Sequence, residues 1–195
     1  NLPDSSMIPD SGELDKSPRA IYIGDIRKSR GLYSMLRIAE LSPKWNFDFI
    51  GPIANEDKHY VDQWMKNSDV ATRVTFHGAL APNKSWEYAK GAWVGLTLLE
   101  ATPAFIEAVP SKLYEYSYAG LAVLSSSLPR CIELLNQSGG GVITQSDEGA
   151  ASILNSWAQN QDALLNMRRK SKLWAREILN PDAHYQAFTQ AVAKL

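Results

Sequence analysis

Six short apolar runs alternating with helix-patterned stretches constrain this chain more than any other feature. Residues 20–26 (Ala-Ile-Tyr-Ile-Gly-Asp-Ile), 47–51, 74–78, 94–99, 121–127 and 141–144 each have the length and content of a strand. Helical periodicity lies between them at 32–41, where Leu32, Met35, Leu36 and Ala39 share a face, at about 58–66 and at about 83–90. A further short helix begins at Pro110-Ser111 and is closed by Gly120, since proline suits a first turn and serine can accept a bond from an unpaired amide. No helix is assigned between the last two runs, where Gly139-Gly-Gly141 reads as a turn. From Asp147 onward the pattern is helical, over 149–158, 161–175 and 183–194. Strands joined by single helices pair in parallel, so the expected fold is an α/β, doubly wound, Rossmann-like six-stranded parallel sheet with helices on both faces.

The 195 residues, 45% of them hydrophobic, suffice for one domain with a sizeable core. A net charge of −1 gives no basic footprint, so nucleic acid is not an expected partner. The single cysteine, Cys131, has no partner for an internal disulfide, which fits a reducing, cytoplasmic setting. Residues 1–18 hold three prolines and four acidic side chains with little apolar content and are expected to be linker. The opening Asn-Leu-Pro-Asp, without Met or a leader pattern, is expected to be an internal boundary of a longer protein. The basic run Arg168-Arg-Lys-Ser-Lys172 reads first as a solvated helix face and second as a peripheral contact with an anionic membrane surface.

Several chemistries lack their signatures. There is no Gly-x-x-x-x-Gly-Lys-Ser/Thr loop, and no Gly-x-Gly-x-x-Gly follows the first strand. His59, His77 and His184 are far apart and Cys131 stands alone, so no zinc spacing exists. Asp-x-Asp and Gly-x-Ser-x-Gly are also absent.

The chemistry-bearing stretch is Glu107-Ala-Val-Pro-Ser-Lys-Leu-Tyr-Glu115. Residues 100–109 contain Pro103 and no helical period, so they form a loop at the carboxyl end of the fourth strand, the rim where open α/β sheets bind ligands. Glu107 falls in that loop. Glu115 falls one to two turns into the next helix, among apolar and aromatic neighbours that make a fully solvated position improbable.

The spacing of Glu107 and Glu115, the small-residue helix, Gly120 and the strand ending near Pro129 resemble the nucleotide-sugar half of retaining glycosyltransferases built from two facing Rossmann-like domains, the GT-B fold of family 4. The resemblance covers about residue 19 to the end. It implies metal-independent transfer of a sugar from a nucleoside diphosphate sugar, with no cofactor, as in bacterial polysaccharide or glycoconjugate synthesis. It also implies roles: Glu107 orients the donor sugar and Glu115 holds the ribose hydroxyls. Gly24 and Arg30 belong to a first β–α turn facing the diphosphate, and the helix start at Ser111, Lys112 and Leu113 offers backbone donors. Gly78 and Ala79, after His77, fall at the family's base-binding turn. Asp25 stands where many members carry arginine, which leaves Arg27 or Lys28 as a substitute. The domain division implied is 1–18 linker, 19–173 nucleotide-sugar domain, and 174–195 a helical segment packing on an amino-terminal domain outside this sequence, with Tyr185, Phe188 and Val192 on its packing face. A GT-B nucleotide-sugar epimerase, a phosphorylase-like enzyme and a non-catalytic nucleotide- or partner-binding module are the alternatives.

Overall fold

A computed structural model describes residues 7–178 and Thr189. Its strands are β1 (Arg19–Ile23), β2 (Asn46–Ile50), β3 (Val74–Gly78), β4 (Val94–Thr97), β5 (Ala122–Ser126) and β6 (Gly141–Thr144). The helices are α1 (Leu32–Leu41), α2 (Asn55–Asn67), α3 (Pro82–Glu87), α4 (Pro103–Ile106), α5 (Ser111–Ala119), α6 (Pro129–Ser138), α7 (Asp147–Gln159) and α8 (Asp162–Ile178). All strand pairs are parallel, in the order β3-β2-β1-β4-β5-β6. The winding direction therefore reverses between β1 and β4, and a crevice opens at their carboxyl ends.

Two apolar layers flank the sheet. One joins Ala20, Tyr22, Phe47 and Phe49 to Leu36 of α1 and Leu154 of α7, with Trp45 and Trp93 meeting edge to face at 5.6 Å. The other joins Ile21, Ile23 and Val123 to Tyr116 of α5, Leu135 of α6 and Trp174 of α8. Burial of these faces is the main stabilising term, at about 25 cal/mol per Å² of apolar surface removed from water.

Several expectations change here. Helix α6 occupies the gap left between the fifth and sixth strands: Pro129 opens it, and Cys131, Leu134, Leu135 and Ser138 form its buried stripe. Residues 100–109 are not wholly loop, because Pro103 starts the single turn α4. Arg168 does not lie on a solvated face. It is 7% exposed and donates to the carbonyls of Gly120, Ala92 and Gly12 and to Ser11 Oγ.

Those bonds also fasten the segment before β1, which was expected to be linker. Ser11 N–H donates to Ala119 O, Gly91 N–H donates to Ser11 O, Ile8 is buried, and Lys172 pairs with Asp10. The boundary expected at 173/174 falls inside α8, where Trp174 stacks on Tyr114 at 5.4 Å. Tyr185, Phe188 and Val192 lie outside the described residues. Among the described residues, no helix is long and apolar enough to cross a membrane.

Burial pulls the Arg168 guanidinium down to about 10, so it remains charged at neutral pH and its donors stay engaged. Arg168→Met strips four acceptors of their donor. It is expected to lower unfolding free energy by about 2–4 kcal/mol. Urea melts measure that loss, and limited proteolysis should cut within residues 7–18 first.

Candidate donor-binding site

The site is assembled at the winding reversal, from the loop after β1 and the loop and helix after β4. The first loop is tied down at several points. Buried Asp57 of α2 accepts from the Lys28 N–H at 2.9 Å and from the Tyr33 hydroxyl at 3.0 Å. Glu100 N–H donates to Ser29 O, joining the loop to the β4 rim. Gly31 has φ 86°, and a Cβ there would lie 2.1 Å from Leu98 O, so only glycine allows this close approach.

Arg30 ends that loop. Its guanidinium lies 5.9 Å from the Phe105 ring centre, and its Nε is buried with no hydrogen-bond partner among the described residues. Burial pushes the neighbouring Tyr22 hydroxyl above its usual range while Arg30 pulls the other way. Arg27 is not aimed into the site. It pairs with Asp25 at 2.5 Å, so the departure noted at Asp25 also neutralises the nearest substitute cation.

Opposite this loop, α5 presents its amino terminus. First-turn amides have no intrahelical partner, so Ser111 and Lys112 N–H remain available as donors. The Leu113 N–H is taken up by Pro110 O at 3.0 Å, and the Leu113 side chain is buried in the core. Leu113 thus shapes the helix start instead of offering a donor. Lys112 pairs with Glu115, and its ammonium stands 5.5 Å from the Trp86 ring. Glu115 is half-buried, its side chain 17% exposed. A Cβ on Gly24 would lie 3.4 Å from Lys112 Cε, which shows how closely the β1 loop meets α5.

A cavity of 150 Å³ lies between the two elements, lined by Arg30, Ser111 and Lys112 together with Tyr22, Thr97 and Phe105. The last three were not among the sequence candidates. Tyr22 carried a signal, being an aromatic with a polar tip near the carboxyl end of a strand. The volume is well below the roughly 300–1,000 Å³ of a site that encloses a drug-sized ligand. It suits one ring- or phosphate-sized group, with the remainder of a ligand on the open rim.

Glu107, the C-cap of α4, is exposed and does not line this cavity, although its neighbours Ala108 and Val109 do. Gly78 ends β3 and Ala79 follows it; both are exposed and neither lines this cavity. His77 is the extra residue of a register shift between β2 and β3, and its Nε2 lies 2.6 Å from Asp48 Oδ1. Among the described residues, no group of three or more His, Cys, Asp or Glu side chains is placed to hold a metal ion.

The family model for glycosyl transferases group 1 matches residues 5–174. This chain belongs to that family. A search of curated proteins finds no match. Among solved structures, HepE from Anabaena in complex with UDP and glucose is similar at a TM-score of 0.75 and 15% identity, over 92% of this chain and 49% of that one. Sucrose-phosphate synthase from Thermosynechococcus elongatus is similar at 0.76 and 13%, over 100% and 52%. The C-terminal domain of LpcC, a glycosyl transferase group 1 family protein from Francisella tularensis, is similar at 0.77 and 14%, over 92% and 99%. The chain therefore spans about half the length of the first two structures and nearly all of the isolated C-terminal domain. At these identities the likeness establishes the fold, one half of a GT-B glycosyltransferase.

Gly95 of β4 fixes the height of α5 over the sheet: a Cβ there would lie 2.4 Å from the Tyr116 ring. Gly95→Ala must push α5 outward, at an expected cost of about 1–3 kcal/mol. A lowered urea midpoint in chemical denaturation would show that this contact sets how α5 is seated on the sheet.

Proposed function

We propose that this chain is the donor-binding half of a retaining glycosyltransferase that moves a sugar from a nucleoside diphosphate sugar to an acceptor. The observation that carries this reading is the meeting of Arg30 with the α5 amino terminus across the β1/β4 reversal. An arginine fork and free first-turn amides form a cradle for diphosphate oxygens. They also meet the negative charge that grows on the leaving diphosphate as the glycosidic bond breaks. The UDP and glucose bound by the structurally similar HepE support a nucleotide-sugar ligand for this fold.

In this scheme Glu115 accepts from the ribose hydroxyls and releases Lys112 toward the phosphates. Glu107, on the exposed turn beside Ala108 and Val109, orients the sugar from the rim. Transfer proceeds without a metal or other cofactor, and the two cationic side chains supply the charge neutralisation. The product is a polysaccharide or glycoconjugate. The acceptor is held largely by an amino-terminal domain outside this sequence.

Calorimetry of the chain against UDP, GDP, ADP and their sugars tests the assignment. One nucleoside diphosphate should bind, weakly, and the absence of heat or competition with all of them at millimolar ligand would remove it. Glu115→Gln should weaken that binding by roughly 1.5–3 kcal/mol, about ten- to a hundredfold, with the fold intact. Unchanged affinity with a lowered melting temperature would instead make Glu115 a structural helix residue.

The isolated chain is expected to give no multiple turnover with a nucleotide sugar and an acceptor extract. Effective molarity is lost when one wall of a two-walled site is missing. Turnover by the purified chain, measured as glycosylated product rather than donor hydrolysis, would place the acceptor site wholly within this half.

A further inference from the structure

A second cleft, of 230 Å³, opens at the carboxyl ends of β4, β5 and β6, next to the Arg30 cavity. Leu99 lines both, so the two spaces adjoin. The floor is apolar, formed by Leu98, Leu99 and Leu128. Around it stand the carboxylates of Glu100 and Asp147, the amide of Gln145 and the hydroxyls of Ser34 and Ser127.

None of those five polar ends is engaged in a side-chain hydrogen bond or ion pair among the described residues. Ser126 Oγ, also in the lining, is buried with no hydrogen-bond partner among the described residues. Ser146 Oγ accepts from the Gly149 N–H at 3.0 Å, which leaves its own O–H free to donate. The contrast with a larger concavity, 650 Å³ beside β2, is informative. There Arg19 and Asp48 pair with each other at 3.1 Å, Arg19 also holds the Tyr88 and Lys90 carbonyls, and Asp48 also holds His77. That larger space has little unspent hydrogen-bonding capacity; the smaller one is rich in it.

The lining selects the chemistry. It contains two carboxylates and no cation, so a phosphate or other anion is disfavoured. Hydroxyls, an amide and carboxylates around an apolar floor suit a neutral ring whose edge carries hydroxyls and whose faces carry C–H groups. We infer that this cleft binds a hydroxyl-rich, uncharged ligand and, resting on the donor reading above, that the ligand is a carbohydrate portion of the acceptor. The two spaces share Leu99, so a ring held here would adjoin a sugar held beside Arg30, as a transfer between them needs.

Amide chemical-shift titration of the ¹⁵N-labelled chain with glucose and then maltotriose, with UDP present, tests the inference. Shifts are expected at Ser127, Gln145 and Ser146, with inorganic phosphate leaving those amides unmoved. Gln145→Trp and Ser127→Trp, both at exposed positions, should each weaken the saccharide response about tenfold and leave UDP affinity unchanged. No saccharide response while UDP binds would overturn this inference and leave the donor reading standing. A response to saccharide in a chain that fails to bind UDP would support the cleft and overturn the donor reading instead. Shifts undiminished in both tryptophan variants, or reproduced by phosphate, would overturn the cleft as the binding place.

Discussion

Tyr116 resting on Gly95 is the contact on which the geometry of this molecule depends. The ring fills the space a side chain on β4 would occupy, and its hydroxyl accepts from the Ile23 N–H at 3.0 Å, where β1 leaves the sheet. One residue thus joins α5 to both strands that flank the winding reversal. Its complete burial pushes the hydroxyl well above its ordinary range, so it stays neutral and remains able to serve the buried amide. Phenylalanine would fill the same volume but leave the Ile23 N–H unsatisfied. Lys112 and Glu115, on the same helix, inherit their positions from this anchor.

The charges around the rim are sorted by what each one touches. Arg27 is spent on Asp25, and Lys112 is held by Glu115 over Trp86. Arg30, set against Phe105 and lining the cavity, is the cation best placed to meet an incoming anion. Counting cations in Arg27-Lys-Ser-Arg30 could not reveal this, because pairing depends on side chains that fold back locally or arrive from α4. The buried acceptor Asp57 has the same character: its value comes from reaching a loop 29 residues earlier in the chain.

The sheet was legible in the sequence because its signal is local. Runs such as Ala20-Ile-Tyr-Ile23 and Val94-Gly-Leu-Thr97 are short, apolar and bounded by turn residues, which is how strands buried on both faces read. Helix α6 carried an equally local signal, Cys131, Leu134, Leu135 and Ser138 at spacings of three, one and three, behind an opening proline. Pro129 also fits the end of a strand motif and the glycine cluster fits a turn, and those two signals mask it. Arg168 and the docked segment before β1 were illegible for a different reason. The bonds that join them span more than 150 residues of sequence, and neither a basic run nor a proline-rich acidic stretch carries a periodicity that would announce a buried junction. Of the residues singled out in the sequence, Arg30, Ser111 and Lys112 line the cavity, and Glu115 is not in its lining but pairs with Lys112. The cavity's other walls, Tyr22, Thr97 and Phe105, come from three separate places in the chain and meet only through the fold.

Strand order also explains why the carboxyl rim divides into two chemically unlike spaces. Strands β1 to β3 wind away from the reversal in one direction and β4 to β6 in the other, so only the β1 and β4 loops converge on it. The β1 loop brings Arg30, and α5 adds Lys112 and its unpaired amides, which gives that crevice a cationic character. The rims of β4, β5 and β6 bring serine, threonine, glutamine and two carboxylates, with no cation among the residues lining them. The Leu99–Glu100 corner stands between, held by the bond from Glu100 N–H to Ser29 O. An anionic ligand is therefore drawn to one side of the corner and repelled from the other, so the topology of the sheet sets a direction along the rim as well as a place for binding.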